Sequence, residues 1–221
     1  MYKLTRLTII ICLLCYSQCF SQIKIGIKAG LNVSLMEGNN YFTNYAYSIE
    51  RPIDLPAYHL GIVSEVPILK HLSLQPEIIY STAGYKYFSN GERFNSMNST
   101  TDPDVTEYLS FVSLPILIKV KLAGVGFLFG PQIDRLVLAQ RKIHDYEKAN
   151  ASRDYNMGNT YSAVIGLDYT FRFGLGFHAR YTHGLQSISK VTEIGIYEPG
   201  TSIKNNAAMF GLHFLFGKSK F

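Results

Sequence analysis

The chain has 221 residues, 47% hydrophobic, 14% aromatic and 17% charged, with a formal net charge of +5. That length suits one domain with a single core or one closed barrel, and so many apolar residues with so few charges exclude a disordered chain. The 16 Tyr and 14 Phe, with no Trp, are a larger aromatic share than a typical soluble domain carries.

The N-terminus reads as a secretory signal peptide over residues 1–21. Lys3 and Arg6 precede a short apolar run from Leu7 to Leu14, and Cys19-Phe20-Ser21 stands before Gln22, where cleavage is expected. The apolar run is too short for a spanning helix, which needs roughly 20 residues. Cys12, Cys15 and Cys19 all lie in this segment, so the mature chain, residues 22–221, is expected to hold neither disulfides nor thiolate metal sites. Leu14 and Gln18 are poor small-residue neighbours for lipid attachment at Cys15 or Cys19. Losing Lys3 and Arg6 lowers the net charge from +5 to +3, and no polybasic run remains to suggest a nucleic-acid partner.

Period-two alternation runs through the rest of the chain. In residues 23–35, Ile23, Ile25, Ile27, Ala29, Leu31, Val33 and Leu35 share one face, and Lys24, Gly26, Lys28, Gly30, Asn32 and Ser34 take the other. Seven further strands follow at 57–66, 72–88, 107–122, 127–137, 160–171, 175–185 and 207–216. Long connections (36–56, 89–106, 138–159, 186–206) alternate with short ones (67–71, 123–126, 172–174). An eight-stranded antiparallel up-and-down transmembrane β-barrel with both termini on the short-turn, periplasmic side has this pattern.

The apolar face holds several bulky residues per strand, more than the interior of an eight-stranded barrel can accept. That face is therefore expected to meet lipid, with Tyr58, Tyr80, Tyr169, Phe171, Tyr181 and Phe216 as interfacial aromatics near strand ends. The opposite face is rich in glycine and carries Lys24, Lys28, His59, Glu65, Glu77, Lys119, Lys121, Asp134, Asp168, His178, Arg180 and His213. With three residues in the Arg172–Gly174 turn, Asp168 stands opposite His178 with Arg180 diagonal to it, and Lys119 is expected opposite Gly130. Charges out of water must pair, so a polar network of Lys24, Lys28, Glu65, Glu77, Lys119, Asp168, His178 and Arg180 is expected to plug the lumen rather than conduct.

The residues also resemble a known family, the PorT-like outer-membrane β-barrel proteins of Bacteroidetes. The resemblance rests on Gly26-Ile-Lys-Ala-Gly-Leu-Asn32, on Tyr108 through Lys119, on Gly130-Pro131, on Ala179-Arg-Tyr-Thr-His-Gly-Leu185 and on the aromatic strand ending at Phe216. It implies a barrel in the outer membrane of a Gram-negative bacterium and no defined activity, although the founding member serves a protein-secretion system. The basic tail Gly217-Lys-Ser-Lys-Phe221 departs from the pattern and leaves the assembly signal to Phe216 or Phe221.

Chemistry-bearing motifs are sparse. An embedded lipid-modifying enzyme needs a Ser and a His close together at the interface; His183 with Ser187 or Ser189 is the nearest approach, and no nucleophile motif surrounds either serine. No histidine pair has helical metal-site spacing, and the loop acids Glu37, Asp102 and Asp104 lack calcium-loop spacing. No catalytic, cofactor or metal site is expected. Recognition is placed on the long loops, above all on Tyr41, Phe42, Tyr45 and Tyr47, with a charged second candidate at 138–159. The expected role is a monomeric, loop-presenting structural or adaptor scaffold in contact with membrane lipid and with envelope or secretion-system proteins. A narrow pore or small-ligand transporter is the alternative, and a lipid-modifying barrel enzyme comes third.

Overall fold

A computed structural model describes residues 23–35, 37–39, 53–87, 105–143, 146–188 and 202–217. Eight long strands dominate: β1 (Lys24–Ser34), β2 (Pro56–Leu69), β3 (Leu72–Tyr87), β4 (Val105–Leu122), β5 (Val125–Ile143), β6 (Asn159–Thr170), β7 (Leu175–Gly184) and β8 (Ala207–Phe216). Each pairs antiparallel with its chain neighbours, and β1 also pairs with β8, from Ile25 opposite Phe216 to Ser34 opposite Ala207. The sheet is thus a closed ring of eight strands. Closure leaves the ring without a free edge, which a sheet needs if it is to stand in hydrocarbon. Among the described residues no helix is long and apolar enough to cross a membrane.

Short pairings extend the ring at its long-loop end. Glu37–Asn39 pairs with Ser202–Lys204 and prolongs the β1–β8 seam, Ile53–Asp54 pairs with β3, and Ala149–Asn150 pairs with β5. At the other end the turns are tight. Ala123 and Gly124, at φ 50° and 89°, form the two-residue link between β4 and β5, the two positive φ values of a hairpin turn matched to strand twist. Two loop residues put Lys119 opposite Leu128, not opposite Gly130 as a longer connection requires.

Burial follows the alternation. Ile25, Ile27, Leu31, Leu60, Ile62, Ile116, Phe129, Ile165 and Leu212 are exposed, whereas Lys28, His59, Glu77, Asp168 and Arg180 are buried. The apolar side chains are outside and the ionisable ones inside, the inverse of a soluble core. Of the expected girdle, Tyr58, Tyr80, Tyr169, Tyr181 and Phe216 stand on the outer surface. Toward the short turns Phe171 stacks on Phe173 with ring centroids 5.5 Å apart and meets Tyr169 and Phe177 edge-on.

β5 runs six residues beyond Val137, the end that alternation predicts. Between Ser110 and Phe111 the register shifts, so Ser110 faces Leu138 while Phe111 faces Leu136. The extra residue, Val137, forms a bulge. It inverts the phase of everything after it, and the strand stops reading as one period.

Candidate functional site

The interior of the ring is filled in tiers. Nearest the short turns, Lys119 Nζ donates to Glu65 Oε2 at 2.9 Å and to Asp168 Oδ2 at 2.6 Å, while Lys121 binds the other Glu65 oxygen. Lys24 stands across from Glu65 in the register, partly exposed at the rim. In the next tier Glu77 accepts from Lys28 at 3.1 Å, from Arg180 Nη2 at 2.9 Å and from Gln75 at 2.7 Å. Farther along, Asp134 accepts from Ser113, from Gln132 Nε2 at 2.7 Å and from Ser162.

Glycines make room for these long side chains. His59 stands opposite Gly30, Lys28 opposite Gly61, His178 opposite Gly211 and Arg180 opposite Gly166. A Cβ built on Gly166 lies 2.8 Å from Arg180 Cβ, closer than carbon atoms pack. The glycine-rich phase in the sequence is thus the complement of the charged one: one strand supplies the side chain and its neighbour the space.

Three histidines complete the middle of the lumen. His59 Nε2 and His178 Nε2 are 2.9 Å apart, and His59 Nδ1 is 2.6 Å from Asn32 Oδ1. His213 Nε2 is 2.9 Å from Thr170 Oγ1, and its ring centroid is 6.1 Å from that of His178. Among the described residues, voids in the lumen include ones of about 10 and 20 Å³, each with room for about one water molecule. The lumen of the described ring is packed shut by paired charges.

Beyond Asp134 the filling changes character. Tyr85, Leu109, Phe111 and Leu136 turn inward and pack with Ala139, Ala151, Tyr155 and Ile188. The segment after Ala149–Asn150 is folded back over this end, with Ala151 N–H donating to Ala139 C=O at 3.0 Å and Asn156 N–H to Ile188 C=O at 2.7 Å. Tyr85 and Tyr155 share a hydrogen bond between their hydroxyls at 2.7 Å. Burial, reinforced by the Tyr85 hydroxyl, pushes the Tyr155 phenol well above its ordinary range, so it stays protonated. Arg141 binds Glu107 and, at 2.9 Å, Asp154. Two charges of the 138–159 segment that the sequence offers for recognition are thus tied into this cap.

The structure brings together seven of the eight network residues and sets Lys24 at the rim beside them. Asp168 is opposite His178, as the three-residue turn requires. His183 points to the outer surface, its ring 6.4 Å from Tyr181, and Ser187 forms a β-bridge with Lys204. Ser189 and the loop aromatics Tyr41, Phe42, Tyr45 and Tyr47 lie outside the described residues. Sequence reading misses the His59–His178 contact and the Tyr85–Tyr155 cap. The one available signal for the first is that both histidines face glycines on the adjoining strands.

A closed antiparallel ring, apolar outside and charge-paired inside, defines a transmembrane β-barrel of the outer-membrane kind. The chain belongs to the family described as outer membrane protein beta-barrel domain, whose model matches residues 16–190, and it is an outer-membrane protein. Similar solved structures include Ail, the attachment invasion locus protein of Yersinia pestis, in complex with the heparin analogue sucrose octasulfate, at 11% identity over 88% of this chain and 99% of that one, with a TM-score of 0.45. OprG from Pseudomonas aeruginosa is similar at 9% identity over 87% of this chain and 95% of its own, with a TM-score of 0.43. No curated protein matches the chain.

Proposed function

We propose that this barrel is a plugged structural or adaptor scaffold of the PorT-like kind, which presents its long loops at the cell surface and assists protein secretion or envelope assembly. Residues 1–21 serve as a signal peptide, and both termini of the monomeric barrel face the periplasm. The observation that carries the reading is the tiered lumen, in which Lys119, Lys28 and Arg180 are each held by buried carboxylates. The interior of an eight-stranded ring is just wide enough for side chains to fill, so the activity falls to the surfaces outside the lumen. The loop aromatics Tyr41, Phe42, Tyr45 and Tyr47 supply contact area for a partner protein.

The test is capture of partners from crosslinked envelopes, paired with planar-bilayer recording at neutral pH. The scaffold predicts a discrete set of envelope proteins, lost when the four loop aromatics are changed together to alanine, and no conductance steps. Steady open-channel steps at neutral pH would overturn it, as would an unchanged set of partners in the loop variant.

A further inference from the structure

The outer wall carries its charge on one side. Tyr85 of β3 and Ala139 of β5 turn inward, so by alternation Lys86 and Lys142 point outward. Arg135, between buried Asp134 and Leu136, is exposed on the same outer surface. Among the described residues, these three are the charged side chains on the outward phase of the ring strands. The facing wall of β1, β2 and β8 presents uncharged residues throughout. A further cation, Lys148, leaves the segment after β5 and sets its Nζ 3.9 Å from the ring centroid of Tyr108, an outward residue of β4.

These cations stand at two heights. A strand tilted by about 45° climbs about 2.4 Å per residue, and the apolar band of a barrel is about 25 Å tall. From Val125 at the turn, past exposed Phe127, Phe129 and Ile133, β5 climbs about 24 Å to Arg135. Arg135 therefore sits at the rim of the band on the long-loop side. Lys86 is opposite Thr106, and Thr106 is opposite Lys142, which sets the two lysine backbones about 10 Å apart. Lys148 on the Tyr108 ring completes this upper cluster. It lies about 15 Å above Arg135, with exposed Val137 and Leu138 between the levels.

The positive charge of this face is not cancelled. Glu107 and Asp154 are taken by Arg141, and no acid among the described residues is bonded to Lys86, Arg135, Lys142 or Lys148. Glu147, exposed beside Lys148 in the chain, leaves the face net positive. Cations at a membrane surface attract anionic lipid headgroups. The phosphate of a glycerophospholipid lies at the rim of the band, within reach of Arg135 and not of the lysines above. A lipid whose headgroup continues outward as acidic sugar meets both levels. A soluble polyanion would have no use for a cation at the edge of the hydrocarbon.

We propose that the outward face of β3, β4 and β5 is a docking surface for the phosphorylated glycolipid of the outer leaflet. Arg135 holds the phosphate next to the acyl chains, and Lys86, Lys142 and Lys148 hold the acidic sugars above it. The inference rests on the orientation proposed above, with the long loops outward, and not on the scaffold role.

The test is native mass spectrometry of the refolded full barrel in neutral detergent, titrated with lipid A bearing its acidic inner-core sugars, with lipid A alone and with phosphatidylglycerol. Affinity should fall in that order. Arg135→Gln should weaken both glycolipids about fivefold, the worth of one cation at a membrane surface. The K86Q/K142Q/K148Q variant should weaken the core-bearing probe by at least about tenfold and leave lipid A alone unchanged. All the substitutions are on the surface, and both variants should keep the wild-type migration in unboiled gels. Phosphatidylglycerol bound as tightly as the core-bearing probe overturns the glycolipid assignment. An unchanged core-bearing affinity in the triple lysine variant overturns the upper level, and an unchanged lipid A affinity in R135Q overturns the lower one. Dextran sulfate that binds as tightly and displaces the glycolipid overturns a lipid partner in favour of a soluble polyanion. Orientation is tested separately: Tyr146→Cys, at a position 76% exposed, should react with a membrane-impermeant maleimide on intact cells. No reaction overturns the orientation and the proposed function with it, whereas reaction without the lipid preference overturns the docking surface alone.

Discussion

The two ends of one cylinder are closed by opposite means. Toward the short turns the interior is ionic: Glu65, Lys119 and Asp168, then Lys28, Glu77 and Arg180, bonded across the ring. Toward the long loops it is apolar, with Leu109, Phe111 and Leu136 packed under Tyr155 and Ile188. The ionic part lies behind a shell of exposed Ile, Leu and Phe, so its charges can only satisfy one another. The apolar part lies where the chain itself returns over the barrel, and it packs as a soluble core does. The wall is the same antiparallel ladder in both parts. What differs is whether the chain can fold back to cover the end.

Removing one member of the ionic part should have the largest effect. Glu77→Gln leaves Lys28 and Arg180 buried around a neutral amide, and loss of one partner from such a pair costs about 3–5 kcal/mol. Urea titration of the refolded barrel, read by its shift in unboiled gel migration, should show that loss. A midpoint close to wild type would mean that the ionic tiers do not bear on stability. In the apolar part Phe111, 1% exposed, is the largest fully buried side chain. Phe111→Ala should cost about 3 kcal/mol in the same titration, while an effect below that of a surface substitution would show that the cap is not a core. The smallest effect is expected for Tyr155→Phe. It keeps the ring and removes the Tyr85 hydrogen bond, worth about 1 kcal/mol, and it should raise hydrogen exchange in the 149–158 segment more than in the ring. Faster exchange of β6 and β7 instead would show that the cap and the ring unfold as one.

All eight ring strands can be read from alternation, because a wall one residue thick separates lipid from lumen and each side chain must choose. The place of Asp168 opposite His178 is legible too, since a three-residue turn sets the register on its own. The extension of β5 beyond Val137 is not legible, because a bulge moves the phase without changing composition. Nor is the apolar cap, where Leu109 and Phe111 fall on the phase that is polar farther along the same strand. Which acid holds which base was equally hidden, because partners such as Lys119 and Glu65 are 54 residues apart.

By itself the sequence determined the class of the molecule: strands rather than helices, eight of them, bulky residues on one phase, glycine and charge on the other. Those are local choices, set by the two-residue period of a strand and by the solvent on each side. The tertiary structure alone decided what the lumen is. Closure of β1 on β8 brings His59 to His178, 119 residues away, over a strip where both intervening strands have glycine. No local rule encodes that meeting, since it depends on how far each strand is sheared against the next around the whole ring.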